Sequence, residues 1–456
     1  MKRSFWDFFS REYEVRLSVS PRDTISARSE QRSGISLLAP DETETFPVRD
    51  EAGIETTLDM LRKLRPQILR FSAGDPDPER WLEFCRREEI HPHICFRPDD
   101  EPEKVRTIVN RCISDFAGND LWRPVRFYEV LCDPNAVSFE NDNSVEERIG
   151  LVRDLGKMLR LTDPEAKIIL GGIAPLGENR AKAEIWNCGI LRNCAEYMDL
   201  IGGFFRPSVL SGRIWDEDIE AIEAEHALAE QVCMGLQRLD RQIRETAPES
   251  GIRIAVTGWN FLPDIVPQKR QDSIYYSSAY RSIRRACGTA ALFEAGPLFG
   301  SGGMLRYEDG SVFGDVFHHH QMLVSSDLPV CLDTKEPDFE KPVPVYRWEN
   351  ITGIGGGEMK VAEVHASRSE DGKRLFLLMT NRSPFKRCVL RVRFYDIPDL
   401  RPIAAYILKS DNRQDTVTAQ EPEKVFCKEV RLGNCRRMNH VTVEIPECSS
   451  VSMLLE

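Results

Sequence analysis

Arg126-Phe127-Tyr128-Glu129-Val130-Leu131, then the helical pattern Ser144–Leu161, then Ile168-Ile169-Leu170-Gly171-Gly172-Ile173-Ala174 read as strand, helix, strand. The two outer segments are short and apolar, as strands buried on both faces are. Asn143-Ser144-Val145-Glu146-Glu147 opens the segment between them with capping side chains and acids that suit a positive helix N-terminus. The alternation recurs on both sides. Apolar runs at Thr24–Arg28, Ile68–Ala73, His91–Arg97, Tyr197–Phe205, Ile252–Trp259 and Ala290–Pro297 bring the count to about eight. Helical patterns at Ile54–Lys63, Asp77–Glu88, Glu103–Phe116, Ile219–Thr246 and Ser273–Cys287 separate them. Repeated strand–helix units make a parallel sheet, and about eight of them in roughly 250–300 residues close into a (β/α)8 TIM barrel.

Past Asp327 the pattern changes. Pro329, Pro337, Pro342 and Pro344 read as a linker. Lys360–Ser367, Arg374–Thr380, Cys388–Tyr395, Ile403–Leu408, Val425–Leu432 and His440–Ile445 follow as short strands with no helix between them. That is the signature of a C-terminal antiparallel β-sandwich of jelly-roll type. Glu14–Ser18 alternates as well and is expected to pair into that domain. The expected organisation of this α/β chain is therefore 1–23 as an N-terminal strand joining the sandwich, 24–326 as the barrel and 327–456 as the β-sandwich.

Composition fits this reading and excludes others. The chain has 456 residues, 41% hydrophobic and 29% charged, which is globular usage. A net charge of −12 argues against a nucleic-acid binder. No run reaches membrane-span length, and Asp7, Arg11 and Glu12 interrupt the apolar start, so no export signal and no membrane partner are expected. The 13 cysteines are odd in number and scattered, which fits reduced thiols in a cytoplasmic protein better than a disulfide framework. No zinc spacing is present. His318-His319-His320 are consecutive, so on a helix they diverge, and neither metal nor cofactor is expected.

A barrel of this kind carries its chemistry at the C-terminal strand ends. Those ends read Leu69-Arg70-Phe71-Ser72-Ala73-Gly74-Asp75, Phe127–Asn135, Asp199–Phe205, Ala255-Val256-Thr257-Gly258-Trp259-Asn260 and Phe293-Glu294-Ala295-Gly296. Their order and spacing resemble those of glycoside hydrolase family 51, the α-L-arabinofuranosidases, over almost the whole chain. Leu69–Asp75 is similar to the family's Leu-Arg-Trp-Pro-Gly-Gly-Asn. Phe127–Asp133 is similar to Tyr-Trp-x-x-Gly-Asn-Glu, and Ile252–Asn260 to the strand ending Asp-Glu-Trp-Asn. Trp186–Phe205 and Asp272–Ala279 match further segments. The resemblance implies a sugar-contacting role for Glu30, a carbohydrate or glycoside ligand, and a tendency to form homo-oligomers.

The departures fall on the catalytic positions. The family's acid/base glutamate is Asp133 here, next to Cys132. Its nucleophile is Gly258, and its strand-six histidine is Phe204. A retaining glycosidase needs two carboxyl groups about 5–5.5 Å apart, and glycine supplies none. Three readings stay open: a catalytically degenerate protein that binds carbohydrate or serves a structural role, an active glycosidase using Asp133 with relocated Glu294 or Glu129, and a non-catalytic scaffold. Arg70, Asp75, Phe204, Trp259 and Asn260 are the candidate substrate contacts. Each has a plainer alternative: Arg70 as the ion-pair partner of a buried acid, the aromatics as packing, and Cys132 as an inert thiol. The glycine-rich Gly353–Gly357 and Gly300–Gly303 are read as connections.

Overall fold

The computed structural model describes residues 12–25, 31–38, 47–48, 50–75, 77–117, 122–131, 139, 142–207, 219–260, 268–300, 302–335, 345–348, 357–383, 386–397, 400–431 and 439–456. After an N-terminal strand β1 (Glu12–Thr24), eight parallel strands close a barrel. They are β2 (Arg32–Ser36), β3 (Ile68–Ser72), β4 (His91–Phe96), β5 (Phe127–Val130), β6 (Lys167–Gly171), β7 (Leu200–Phe205), β8 (Arg253–Trp259) and β9 (Ala290–Ala295). Helices α1 (Glu51–Leu64), α2 (Pro78–Arg87), α3 (Pro102–Ala117), α4 (Asp142–Thr162), α5 (Arg180–Cys194), α6 (Ile219–Thr246) and α7 (Ser273–Arg285) follow the first seven barrel strands in turn. A hairpin of β10 (Leu305–Glu308) and β11 (Ser311–Gly314) separates β9 from α8 (Val316–Val324).

Local signals explain the helices. Asp50 accepts from the Gly53 N–H at 2.8 Å to cap α1, which buries Thr57, Leu58, Leu61 and Leu64 on one stripe. Pro78 opens α2 behind the Asp77 cap. In α8 the buried His320 lies 3.1 Å from the Ser277 hydroxyl, while His318 packs against Gly314.

The expected first barrel strand at 24–28 is displaced: Thr24 ends β1, residues 26–30 lie outside the described residues, and the strand is β2. Its sequence, Arg-Ser-Gly-Ile-Ser, has little strand character because the interior beside it is crowded. A Cβ on Gly34 would stand 2.8 Å from Ile68 Cβ and 3.0 Å from Glu294 Cγ.

The expected C-terminal β domain is one curled nine-stranded sheet, antiparallel but for a single parallel pair made by the N-terminal strand. It adds β12 (Val330–Lys335), β15 (Ala362–Arg368), β16 (Leu375–Asn381), β17 (Arg387–Phe394), β18 (Pro402–Lys409), β19 (Phe426–Glu429), β20 (His440–Ile445) and β21 (Ser449–Leu455). The hairpin β13 (Val345–Trp348) and β14 (Gly357–Lys360) stands apart. The order is β19-β18-β21-β16-β15-β12-β1-β17-β20, and β1 runs parallel to β17. The sheet curls so that Val15, Leu17, Leu377, Leu390, Val441 and Met453, drawn from its middle and one end, share one core.

Barrel and sheet meet through α7 in a buried polar seam. Ser277 and Ser450 hydroxyls are 2.8 Å apart, Ser278 donates to Glu363 at 2.6 Å, and Arg284 pairs with Asp327 at 2.7 Å. Two strands of this sheet escaped the hydrophobic pattern, one through its proline flanks and one because it faces the seam. β12 lies inside the segment read as linker, and β21 is Ser-Ser-Val-Ser-Met-Leu-Leu, with Ser449, Ser450 and Ser452 buried. No helix among the described residues is long and apolar enough to cross a membrane.

Candidate functional site

Inside the barrel, Ile68, Phe127, Ile169, Leu200, Ala255 and Leu292 form an apolar floor. One step along the strands the lining turns polar. Register places Ser36 beside Arg70, Arg70 beside His93, Cys95 beside Glu129, and Glu294 beside Gly34, so five adjacent strands deliver one cluster. Two-residue strand periodicity puts His93 and Cys95 of β4 on the same face.

The cluster is closely bonded and shut off from solvent. Arg70 Nε donates to Glu129 Oε2 at 2.7 Å and Arg70 Nη1 to Ser36 Oγ at 2.9 Å. His93 Nδ1 is 2.8 Å from Glu294 Oε1, and His93 Nε2 is 3.2 Å from Glu129 Oε2. Cys95 Sγ donates to the same Glu129 oxygen at 3.4 Å. Arg70, His93, Glu129 and Glu294 are each at most 4% exposed. Gly202 makes room for Glu129: a Cβ there would stand 3.0 Å from Oε1.

Electrostatics separate the two carboxylates. Burial opposes ionisation of Glu129, but the Arg70 guanidinium and the His93 ring outweigh it and hold the pKa down at about 2. Burial dominates at Glu294 and pushes its pKa up, against the pull of His93. For His93, burial is overcome by Glu294 and Glu129, and its pKa rises. Cys95 is pushed far above an ordinary thiol by burial. Two acids with divergent proton affinities are the raw material of general acid–base chemistry. Here each is already occupied by a protein partner.

The remaining sequence candidates fall elsewhere. Glu30, Cys132 and Asp133 lie outside the described residues. Asp75, half-buried, closes the turn after β3: its carboxylate accepts from the Ser72 N–H at 3.2 Å. Asn260 is buried and donates to the Gly302 carbonyl at 3.2 Å, holding the loop after β9. Trp259 points outward. Its ring is fully buried and packs on Phe317 (5.1 Å between centroids), Tyr276, Tyr280 and His320, so no face is open to a sugar.

Gly258 and Phe204 are brought together. β7 and β8 slip register between Gly203 and Phe204, so that Val256 pairs with Gly203 and Gly258 with Phe204. The slip lays the Phe204 ring over Gly258. A Cβ at position 258 would stand 2.0 Å from Cε2, 2.4 Å from Cδ2 and 2.7 Å from Cζ of that ring. Phe204 itself is only half-buried.

Sequence reasoning missed Ser36, His93 and Cys95. A usable signal existed for the latter two, which occupy alternate positions on a strand already recognised, in phase with Arg70 and Glu129.

Similarity to known proteins was found in structure and not in sequence: no family model matches the chain, and no curated protein matches it. An α-L-arabinofuranosidase from Thermotoga maritima, solved as an arabinose complex, superposes with a TM-score of 0.72 at 15% identity, covering 96% of this chain and 99% of that one. A family 51 α-L-arabinofuranosidase from Bifidobacterium longum gives 0.74 at 12% identity, covering 97% and 99%. A Paenibacillus polymyxa xyloglucanase of glycoside hydrolase family 44 gives 0.62 at 10%, again covering 97% and 99%. The fold is that of the family 51 arabinofuranosidases. Barrel, curled sheet and chain order are shared end to end, at an identity where the likeness is one of fold.

Proposed function

We propose that this arabinofuranosidase-like barrel binds carbohydrate at its mouth and does not hydrolyse it by double displacement. The observation that carries this reading is the Phe204 ring lying over Gly258. The position that the resemblance assigns to an attacking carboxylate has no side chain, and an aromatic ring occupies the space one would need. Half-exposed at the end of β7, that ring is a suitable platform for the apolar face of a sugar. The arabinose complex of the Thermotoga structure supports carbohydrate as the ligand class. The enclosure of Glu129 and Glu294 by Arg70 and His93 weighs against their serving as relocated nucleophile or base beside Asp133. On the same footing we place the protein in a reducing cytoplasm, supported by eleven free cysteines among the described residues, and as a homo-oligomer, supported by the resemblance.

The test is a panel of nitrophenyl glycosides run beside calorimetric titration with arabino-oligosaccharides. No turnover, with saturable binding weakened at least tenfold in Phe204→Ala, supports the reading. Turnover abolished by Asp133→Ala establishes the relocated-acid enzyme instead. Neither turnover nor binding favours the scaffold.

A further inference from the structure

We propose that His93, Cys95 and Glu129 form a binding site for a single divalent metal ion of the zinc class inside the barrel. The inference stands whether or not the mouth binds sugar. A ring nitrogen of His93, Cys95 Sγ and a Glu129 carboxylate oxygen lie within 4.8 Å of one another, all buried. Tetrahedral zinc, with bonds of about 2.0–2.3 Å, sets its ligand atoms about 3.3 Å apart for nitrogen and oxygen and about 3.6 Å for sulfur and oxygen. The corresponding separations here are 3.2 Å from His93 Nε2 and 3.4 Å from Cys95 Sγ, both to Glu129 Oε2. Two of the three ligand separations are thus near their zinc values before any ion enters.

The surroundings are those of a metal-binding histidine. His93 turns its other nitrogen to Glu294 Oε1 at 2.8 Å, the outer carboxylate contact that fixes a ligating ring and raises its basicity. Nε2 faces Glu129 Oε2 at 3.2 Å and becomes a ligand once its proton leaves, with Nδ1–H kept on Glu294. Among the described residues, Glu294 Oε2 is a buried polar atom without a hydrogen-bond partner, which protein interiors rarely tolerate. Charge also closes. A Cys95 thiolate, Glu129 and Glu294 bring three negative charges and Arg70 one positive, so a divalent ion leaves the buried group neutral. On binding, Cys95 gives up its thiol proton and His93 its Nε2 proton to solvent, and His93 coordinates as the neutral ring. Arg70, 2.7 Å from Glu129 Oε2 and 3.9 Å from Glu294 Oε2, remains as counter-ion to Glu294. A water completes the shell.

Chelator-treated protein titrated with Co2+ reads the site directly. The expected result is one equivalent bound, with a thiolate-to-cobalt charge-transfer band in the near ultraviolet and displacement by Zn2+. Cys95→Ser should remove that band, and Glu294→Gln should weaken binding 10–100-fold, the usual effect of losing an outer carboxylate. X-ray absorption of zinc-loaded wild-type protein gives a check that needs no variant: one sulfur and two or three nitrogen or oxygen neighbours. The proposal is overturned if wild-type protein shows no charge-transfer band and no zinc–sulfur scattering. It is equally overturned if a folded Cys95→Ser variant keeps both, because the ion then sits elsewhere.

Discussion

Substituting alanine for Gly258 brings a methyl carbon to within 2.0 Å of Phe204 Cε2. Ordinary contact begins near 3.4 Å, so the ring or the β7–β8 ladder must give way by about 1.4 Å (3.4 minus 2.0). Overpacking of that kind costs about 1–3 kcal/mol. Phe204→Ala alone removes a half-buried ring and should cost roughly 1.5–2.5 kcal/mol, about half the range for a fully buried phenylalanine. In the double variant the methyl occupies space that the ring has vacated, so the combined loss should fall short of the sum by about 1–3 kcal/mol, a coupling expected only of residues in contact. Urea denaturation of the four proteins, followed by tryptophan fluorescence, measures the cycle. The reasoning fails if Gly258→Ala is as stable as wild type, or if the two losses add within about 0.5 kcal/mol. Either outcome means that the ring does not fill the position. The cycle also bears on reactivation: Gly258→Glu in the presence of Phe204 should be destabilised as well as inert.

Other consequences follow from the buried charges. Glu129→Gln strips Arg70 of its closest counter-charge and should destabilise by about 3–5 kcal/mol, while Arg70→Met with Glu129→Met should recover part of that loss; denaturation of single and double variants compares them. Asp315, which caps α8, has its pKa raised by burial to about 7. In the window between its ordinary value of 3.8 and about 7 the folded state holds a proton that the unfolded chain has lost, so this group's stabilisation falls as pH rises and is gone above pH 7. Asp315→Asn keeps a cap without the charge, so its stability relative to wild type should improve from pH 5 to pH 8; no change in that difference contradicts the assignment. His318 and His320, held neutral by burial with pKa values near 3, act in the opposite sense below their ordinary 6.5, which is why the difference between the two proteins is the quantity to follow.

Much of the barrel is legible because its strands are buried on both faces and its helices on one. Ile168–Gly171 is a continuous apolar run, Ile68–Ser72 is apolar but for Arg70 and Ser72, and α1 and α4 announce themselves by their apolar stripes, although the Asn143-Ser144 pair read as capping lies inside α4. What escaped has several causes. β2 is built of small residues because Glu294 and Ile68 crowd it, and β21 is rich in serine because it faces a polar seam. That the N-terminal strand joins the C-terminal sheet is legible, but not its parallel pairing with β17, about 375 residues away, which no local pattern encodes. At the site, the absence at Gly258 and the ring at Phe204 are both visible in the sequence, but their contact depends on a one-residue register slip that is not. Glu129 and Glu294 were read as candidate acids, with Arg70 named as the alternative partner. The His93 bridge between them required neighbouring strands to be set in register.

The central claim is chemical: no carboxylate of this chain forms a bond to an anomeric carbon. Incubation with an activated 2-fluoro arabinofuranoside, which slows breakdown of any glycosyl-enzyme, followed by intact-mass measurement, tests it most directly. The account predicts an unchanged mass at full protein recovery. A stoichiometric gain of one fluorosugar, mapped to any aspartate or glutamate, would contradict it and identify the nucleophile.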